Sequence, residues 1–165
     1  MEKQIYNKDA QNTLDILARG AFLTTQAEGK LNTMTIGWGS IGHIWQKPVF
    51  MVMVRPSRFT YDLIEQSGEF TVSIPHEDMQ MQLGFCGVKS GRKTDKFAAL
   101  NLATFASQKI ATPAIKIKGL HYECKVLYKT TMLPAQLDAA VNEKAYPEAD
   151  YHVMYFGEIL NTVKL

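Results

Sequence analysis

FMVMVRPSRFT, residues 50–60, reads as a buried apolar strand that runs into a polar turn and then opens a short helix. From Pro48 to Val54 apolar residues occupy both faces, as in a strand covered on both sides. Arg55, Ser57, Arg58 and Thr60 then cluster where the helix begins. Free backbone N–H groups, hydroxyls and two guanidinium groups at one helix start offer a seat for a phosphate-like anion. A strand ending in a merely solvated turn would use the same residues, so the stretch has to be weighed with its neighbours.

Towards the C-terminus, Ser57–Gln66 continues as a short helix that Ser67-Gly68 ends. Glu69–Ile74, EFTVSI, alternates as a strand stopped by Pro75. His76–Leu83 fits one or two helical turns. From Gly84 to Phe97 that pattern is lost, and glycines, Ser90 and lysines alternate as in a functional loop. Leu120–Lys129 alternates most clearly, with Leu120, Tyr122, Cys124, Val126 and Tyr128 on one face and His121, Glu123, Lys125 and Lys129 on the other. Pro134–Glu143 fits a helical insertion and Tyr151–Leu160 a last strand. Towards the N-terminus, Ala21–Thr25 and Leu31–Trp38 form a hairpin about Ala27-Glu28-Gly29-Lys30. A first helix runs from Asp9, its cap, to Arg19, with Gly20 closing it. Short strands in hairpin order, with helices as decoration, predict an α+β, mainly β fold. The expected architecture is an antiparallel barrel, since a parallel sheet would need a helix after nearly every strand.

The 165 residues suit one domain spanning 1–165, with neither a repeat nor a linker to divide them. Hydrophobic residues make 46% and charged residues 21%, the balance of a soluble globular chain. A net charge of +2 is too small for a protein that coats nucleic acid or an acidic membrane. Cys86 and Cys124 lie far apart, with no CxxC pair and no zinc spacing, in keeping with a reducing compartment. MEKQIYNKDAQ has no apolar signal core, and the run Val49–Val54 is too short to span a bilayer. These features place the chain in the cytoplasm, with neither nucleic acid nor membrane as its partner.

No triad, no paired catalytic carboxylates and no metal spacing are legible. That is what one expects where a bound cofactor carries the chemistry. A flavin mononucleotide (FMN) needs donors and cations for its phosphate, hydroxyl partners for its ribityl chain, and apolar walls for its ring. Asn32-Thr33-Met34-Thr35-Ile36-Gly37-Trp38 mixes hydroxyls with Met and Trp on one strand, unusual inside a barrel unless something polar lies against them. The alternative is a strand with its threonines outward. Gly84–Phe97, GFCGVKSGRKTDKF, gathers Lys89, Arg92, Lys93 and Lys96 around Ser90-Gly91, but lacks the order of a Walker A loop. A solvated basic loop is the alternative there. Met34 is the one methionine expected to lie against a flavin, and the others are core filler.

Taken together, NTMTIGW, VRPSRFT, SGEFTVSIP and GVKSGRKTDKF, in this order and spacing, resemble the flavin reductase-like, FMN-binding split-barrel family, and within it the flavoredoxin-like proteins. The resemblance covers about residues 15–100, and Asp150–Glu158 extends it to the last strand. It implies a homodimer of Greek-key split β-barrels with FMN near the subunit interface. Carried over by motif, Asn32, Thr33, Met34, Thr35, Ile36, Gly37 and Trp38 line the isoalloxazine ring. Arg55, Ser57, Arg58 and Thr60 hold the phosphate and ribityl groups, with Val54 and Pro56 in the same motif. Ser90, Gly91, Lys93 and Lys96 close over that end, Asp95 and Phe97 organise the loop, and Cys86 and Gly87 open it.

His152 matches a histidine that the family often places beside the flavin, where nicotinamide or substrate would approach, and is the one candidate catalytic residue. The family has an adjacent Asp-His pair there, whereas here Tyr151 separates Asp150 from His152. A surface histidine at a strand end is the alternative. The Cys86 thiol, with no cysteine or histidine near it in sequence, reads as a small packed group. The function implied is NAD(P)H-dependent flavin reduction, the alternative being a flavoredoxin-type electron carrier that serves a redox partner protein. Trp38, Trp45 and Tyr155 are candidate walls of the dimer interface.

Overall fold

The computed structural model describes residues 6–165; residues 1–5, the start of the stretch without a signal core, lie outside them. Glu28 and Gly29 reverse the chain with φ of 49° and 74°, the left-handed pair that a two-residue hairpin needs. They join β1 (Ala21–Ala27) to β2 (Lys30–Ile36), with Ala21 opposite Ile36 and Ala27 opposite Lys30. A second hairpin joins β3 (Gly39–Ile44) to β4 (Lys47–Val54) through Trp45 and Gln46, also left-handed at 54° and 58°. The sequence reading missed β3 and ran β2 on to Trp38. GSIGHI has no apolar alternation, and Trp-Gln is not a recognisable turn pair.

Together with β5 (Glu69–Pro75), β8 (Gly119–Thr131) and β9 (Val153–Lys164), these strands form a seven-stranded antiparallel sheet in the order β2-β1-β5-β8-β9-β4-β3. Its two edges, β2 and β3, are separated in the chain only by Gly37 and Trp38. From Ile36 to Gly39 the backbone can reach about 11 Å. The edges of a flat seven-stranded sheet would stand about 29 Å apart. The sheet therefore curls until its edges meet at Gly37–Trp38, giving a barrel split along the β2–β3 seam rather than one closed by hydrogen bonds.

Phe50, Val52, Phe70, Val72 and Tyr122 fill the interior, each fully buried. At 25 cal/mol per Å² or so, such side chains contribute roughly 1.5–3 kcal/mol apiece. Gly157 lets them meet: a Cβ there would lie 2.5 Å from Phe70 Cζ. The first helix, α1 (Ala10–Leu17), covers one end and ties to the core through Thr13 Oγ1 and Tyr122 Oη at 2.7 Å. Asp9 precedes it without a capping bond, and Ala18 rather than Gly20 ends it. The helix α2 (Phe59–Ser67) follows the arginine turn, and Gly68, left-handed at φ 63°, closes it.

Two parts of the chain depart from the sequence reading. The helix α3 (Gln80–Val88) runs through the first third of the supposed loop and buries Leu83 and Cys86 against Phe22, Ile115 and Ile117. Gly84 and Gly87 hid it, since glycine is a poor helix former. Only Lys89–Asp95 remains as loop before α4 (Lys96–Leu100), which Asp95 caps by accepting from Phe97 N and Ala98 N.

In β8, both faces are buried from Gly119 to Cys124. The supposed outer residue His121 lies under Phe105 of the small ribbon β6 (Thr104–Phe105) and β7 (Ala114–Ile115). Buried Glu123 accepts from Gln108 N and Lys109 N. A bulge between Val126 and Tyr128 then flips the alternation, so Tyr128 faces out with Trp45 and Phe156. Between β8 and β9 the chain makes an excursion, with a 3-10 turn (Pro134–Gln136) and then α5 (Ala139–Ala145), capped by Asp138.

Candidate functional site

β4 ends at Val54 and α2 begins at Phe59, so Arg55 to Arg58 stand at the barrel rim beside the β2–β3 seam. A cleft opens there with two lobes, each of about 190 Å³, that share Arg55 and Arg58. One is lined by Met34, Thr35, Ile36, Gly37, Trp38, Met53 and His152. The other is lined by Asn32, Ser57, Phe59, Thr60, Lys89, Ser90, Gly91, Lys96 and Asp150.

The second lobe is cationic. Arg58 donates to Gly87 O at 2.9 Å, so one guanidinium N–H is fixed and the others are not. Arg55 is spent differently, donating to Asp150 O at 2.8 Å and Ala145 O at 2.9 Å with the Tyr146 ring beneath it. It therefore pins the β8–β9 excursion onto the rim, a structural task that the sequence reading did not foresee. Lys96 is 4% exposed and donates to Thr33 O at 2.7 Å and Cys86 O at 2.9 Å, leaving its third proton free. Burial pulls its pKa down to about 8, opposed by Cys86 and helped by Arg58. Asp150 is the one carboxylate lining this lobe, and it accepts from Ser57 Oγ at 2.7 Å.

Close packing holds the lobe's floor. Asn32 donates to Thr60 Oγ1 at 2.9 Å, and a Cβ on Gly91 would fall 2.1 Å from Asn32 Oδ1. Arg92 clamps the loop to α2 through Ser57 O and Asp62. Lys93 is exposed and lines a neighbouring hollow with Gly29, Lys30 and Phe59, not this lobe; Lys89 stands here in its place.

The first lobe is mixed, with Met34, Ile36, Trp38 and Met53 set against Thr35, His152 and the two shared arginines. Thr35 Oγ1 donates to Leu83 O at 2.6 Å, and Gly87 lies against Thr35, so α3 backs β2 closely here. His152 is 9% exposed, with its ring 5.4 Å from that of Trp38 and its Nδ1 2.8 Å from Tyr146 Oη. Burial and then Arg55 lower its pKa to about 4, with Asp150 opposing and Arg58 adding, so it is neutral above pH 5. His152 is thus a cleft residue and not a surface histidine.

Several expected residues lie elsewhere. Thr33 is buried on the β2 face opposite Met34, with its hydroxyl bonded to Thr24 and Leu23 O, and only its carbonyl reaches the site, through Lys96. Val54 is core and Pro56 exposed, and neither lines the cleft. Cys86 is buried, with its thiol pKa raised by burial, and Phe97 packs beside it. Met53, Phe59 and Tyr146 were missed, and Lys89 was named in the basic loop but not among the site residues. Strand parity offered a signal for Met53, because Met53 and Arg55 stand two apart on the same face. A larger hollow of about 490 Å³ beside α1 sets Arg19 among Glu77 and Asp78.

Residues 17–163 match the model of the flavin reductase like domain, and the chain belongs to this FMN-binding, split-barrel family. An uncharacterized protein of Archaeoglobus fulgidus is 27% identical over 140 residues, 85% of this chain and 69% of its own length. The flavoredoxin of Methanosarcina acetivorans is 28% identical with a TM-score of 0.68, covering 88% of this chain and 68% of its own. An FMN-binding protein of Thermus thermophilus shares the fold, with a TM-score of 0.69 at 21% identity over 88% of this chain and 69% of its own. Among the described residues no helix is long and apolar enough to cross a membrane.

Proposed function

We propose that this chain binds FMN in the two-lobed cleft and moves reducing equivalents between a reduced nicotinamide and a flavin. The observation that carries the reading is the joining of a lobe walled by Met34, Ile36, Trp38 and Met53 to a cationic lobe through Arg55 and Arg58. The residues fit the group: Arg58, Lys89 and Lys96 keep donors free for a phosphate, and Met34, Ile36, Trp38 and Met53 offer apolar side chains to a planar ring. FMN, when bound, supplies the hydride and electron chemistry. The chain's own residues bind, orient and shield. Lys96 and Arg58 set the phosphate end, and Thr35, tied to α3, fixes the floor of the ring end. His152 stays neutral beside Trp38, where nicotinamide or substrate would approach.

Titration of the purified protein with FMN should give a dissociation constant in the micromolar range or below, on the order of −8 kcal/mol. NADH and NADPH oxidation with free flavin as acceptor then tests the reductase activity. A second reading, an electron carrier that keeps its FMN and serves a partner protein, is favoured by the 28% identity with a flavoredoxin. A yellow protein inert toward both nicotinamides would select it. Trp38 is 50% exposed at the open side of the ring lobe, a wall that a second copy would cover. Trp45 is exposed too, but Tyr155 is not available as a wall: it is buried and bonded to Glu65. Light scattering showing a monomer with FMN bound would sink the homodimer. We place the working protein in the cytoplasm, and fractionation of cells that express it would test this.

A further inference from the structure

We propose that Tyr146, on the excursion between β8 and β9, is a positioning residue that locks His152 as a neutral Nε2–H donor facing the Trp38 lobe. It does so by donating its own hydroxyl proton to Nδ1. The inference rests on reading this lobe as the seat of a planar heteroaromatic ring. It adds the chemistry that the wall offers such a ring, namely one neutral hydrogen-bond donor aimed at a carbonyl oxygen or ring nitrogen.

The geometry fixes which nitrogen does what. Tyr146 Oη and His152 Nδ1 are 2.8 Å apart, and both residues are buried. Among the described residues Nε2 has no hydrogen-bond partner and is not among the buried unpartnered atoms, while the ring itself lines the lobe. It is therefore Nε2 that meets whatever enters. In a neutral imidazole one nitrogen donates and the other accepts. If the phenol gives its proton to Nδ1, the imidazole proton must sit on Nε2.

The surroundings keep both partners neutral, the state in which the phenol can donate. Burial raises the phenol's pKa, so it keeps its proton and can give the hydrogen bond. The charged groups about the pair are Arg55 on the end of β4, Arg58 at the start of α2 and Asp150 before β9. The two guanidinium groups outweigh the one carboxylate, which itself holds Ser57, so a second imidazole proton is disfavoured. Tyr146 is itself held by more than this bond. Its ring stacks on Tyr151 at 4.9 Å and carries Arg55 at 5.1 Å on its face. Removing only the hydroxyl should therefore leave the excursion in place.

Long-range proton–nitrogen NMR on the full-length protein without flavin reads the tautomer directly. In the wild type, His152 should show Nδ1 unprotonated and Nε2 protonated from about pH 5.5 to pH 8, with no second tautomer. Tyr146→Phe should leave the fold intact by circular dichroism yet weaken that preference about fivefold, the scale of one neutral hydrogen bond. It should also weaken FMN and riboflavin binding by similar factors of about fivefold, because the donor serves the ring they share. Finding the proton on Nδ1 in the wild type, or a Tyr146→Phe spectrum with unchanged tautomers, overturns the proposal. Unchanged affinity for both flavins in that variant overturns its aim at the ring. Failure of the wild type to bind either flavin would instead sink the flavin reading and leave the tautomer result standing.

Discussion

Arg58→Ala should weaken FMN binding far more than riboflavin binding, because only FMN presents a dianion to the cationic lobe. In the structure Arg58 uses one N–H on Gly87 O and lines both lobes, so its remaining donors face any phosphate seated there. A charge-assisted hydrogen bond contributes about 1.5–3 kcal/mol, which raises the FMN dissociation constant about ten- to a hundredfold. Riboflavin, lacking the phosphate, should change by about twofold at most. The variant also frees the half-buried carbonyl of Gly87, at a cost of about 1 kcal/mol and a fall in melting temperature of about 2–4 °C. Calorimetric titration with each flavin at low and at high salt separates the effects, since only the ionic part is screened. Arg55→Ala is the control. Both of its bonds go to carbonyls of the β8–β9 excursion, so it should lower stability and loosen that segment while harming both flavins alike. Equal loss of FMN and riboflavin affinity in Arg58→Ala would mean that the phosphate does not lie against it, and the charge argument would fail.

Lys96 is charged below a pKa of about 8, so FMN affinity should fall as pH rises through 8 while riboflavin affinity stays flatter. Its unfolded pKa is about 10.4, so between the two values the unfolded chain binds more protons, and flavin-free stability should rise with pH across that window. Lys96→Met should remove both trends, visible in chemical denaturation and binding curves at stepped pH. Lys89→Ala should weaken FMN several-fold, whereas Lys93→Ala, facing the neighbouring hollow, should leave it within about twofold; equal effects would contradict the observed lining. Gly91→Ala sets a Cβ 2.1 Å from Asn32 Oδ1 and should displace the loop, costing FMN affinity about tenfold with little change in melting temperature. Gly157→Ala drives a Cβ to 2.5 Å from Phe70 Cζ inside the barrel and should destabilise by about 1–3 kcal/mol or more, read by thermal denaturation.

What the sequence revealed depended on whether a local signal existed. The β1–β2 hairpin was legible because Glu-Gly supplies the left-handed turn, and β5 because EFTVSI alternates cleanly up to a proline. By contrast β3 was not, since its six residues include two glycines and its turn forces Trp45 and Gln46 into a conformation that neither favours. The outer face of β8 was misjudged because His121 and Glu123 look solvated in sequence, while groups remote in the chain help to satisfy them, Ser73 for His121 and the backbone of residues 108–109 and Asn161 for Glu123. The same rule separates the site residues. The motif residues Arg58, Ser90, Gly91 and Lys96 stand together in the cleft, while Val54 points into the barrel and Thr33 is spent on Thr24 and Leu23 O on the opposite face of β2 from Met34. Tyr146 was invisible, lying in an excursion whose register on the rim is set by Arg55.

How the lobe keeps its charge follows from the partners its cations were given. Arg58, Arg55 and Lys96 are each oriented by neutral carbonyl oxygens, those of Gly87, Ala145, Asp150, Thr33 and Cys86. A carbonyl fixes a cation's position but subtracts no charge. A carboxylate in the same place would fix it and cancel it, as Asp62 does for Arg92 on the exposed side of the loop. The lobe's lone carboxylate, Asp150, is engaged by a hydroxyl. Bringing Lys96 to 4% exposure without a counter-ion costs stability, and its lowered pKa is the trace of that cost. A fold under selection for stability alone would place a glutamate there or move the lysine to the surface. A chain that keeps a buried, uncompensated ammonium beside a half-free guanidinium has left the counter-charge to be supplied from outside. A phosphate dianion, arriving with the ring that the neighbouring lobe accommodates, meets that need.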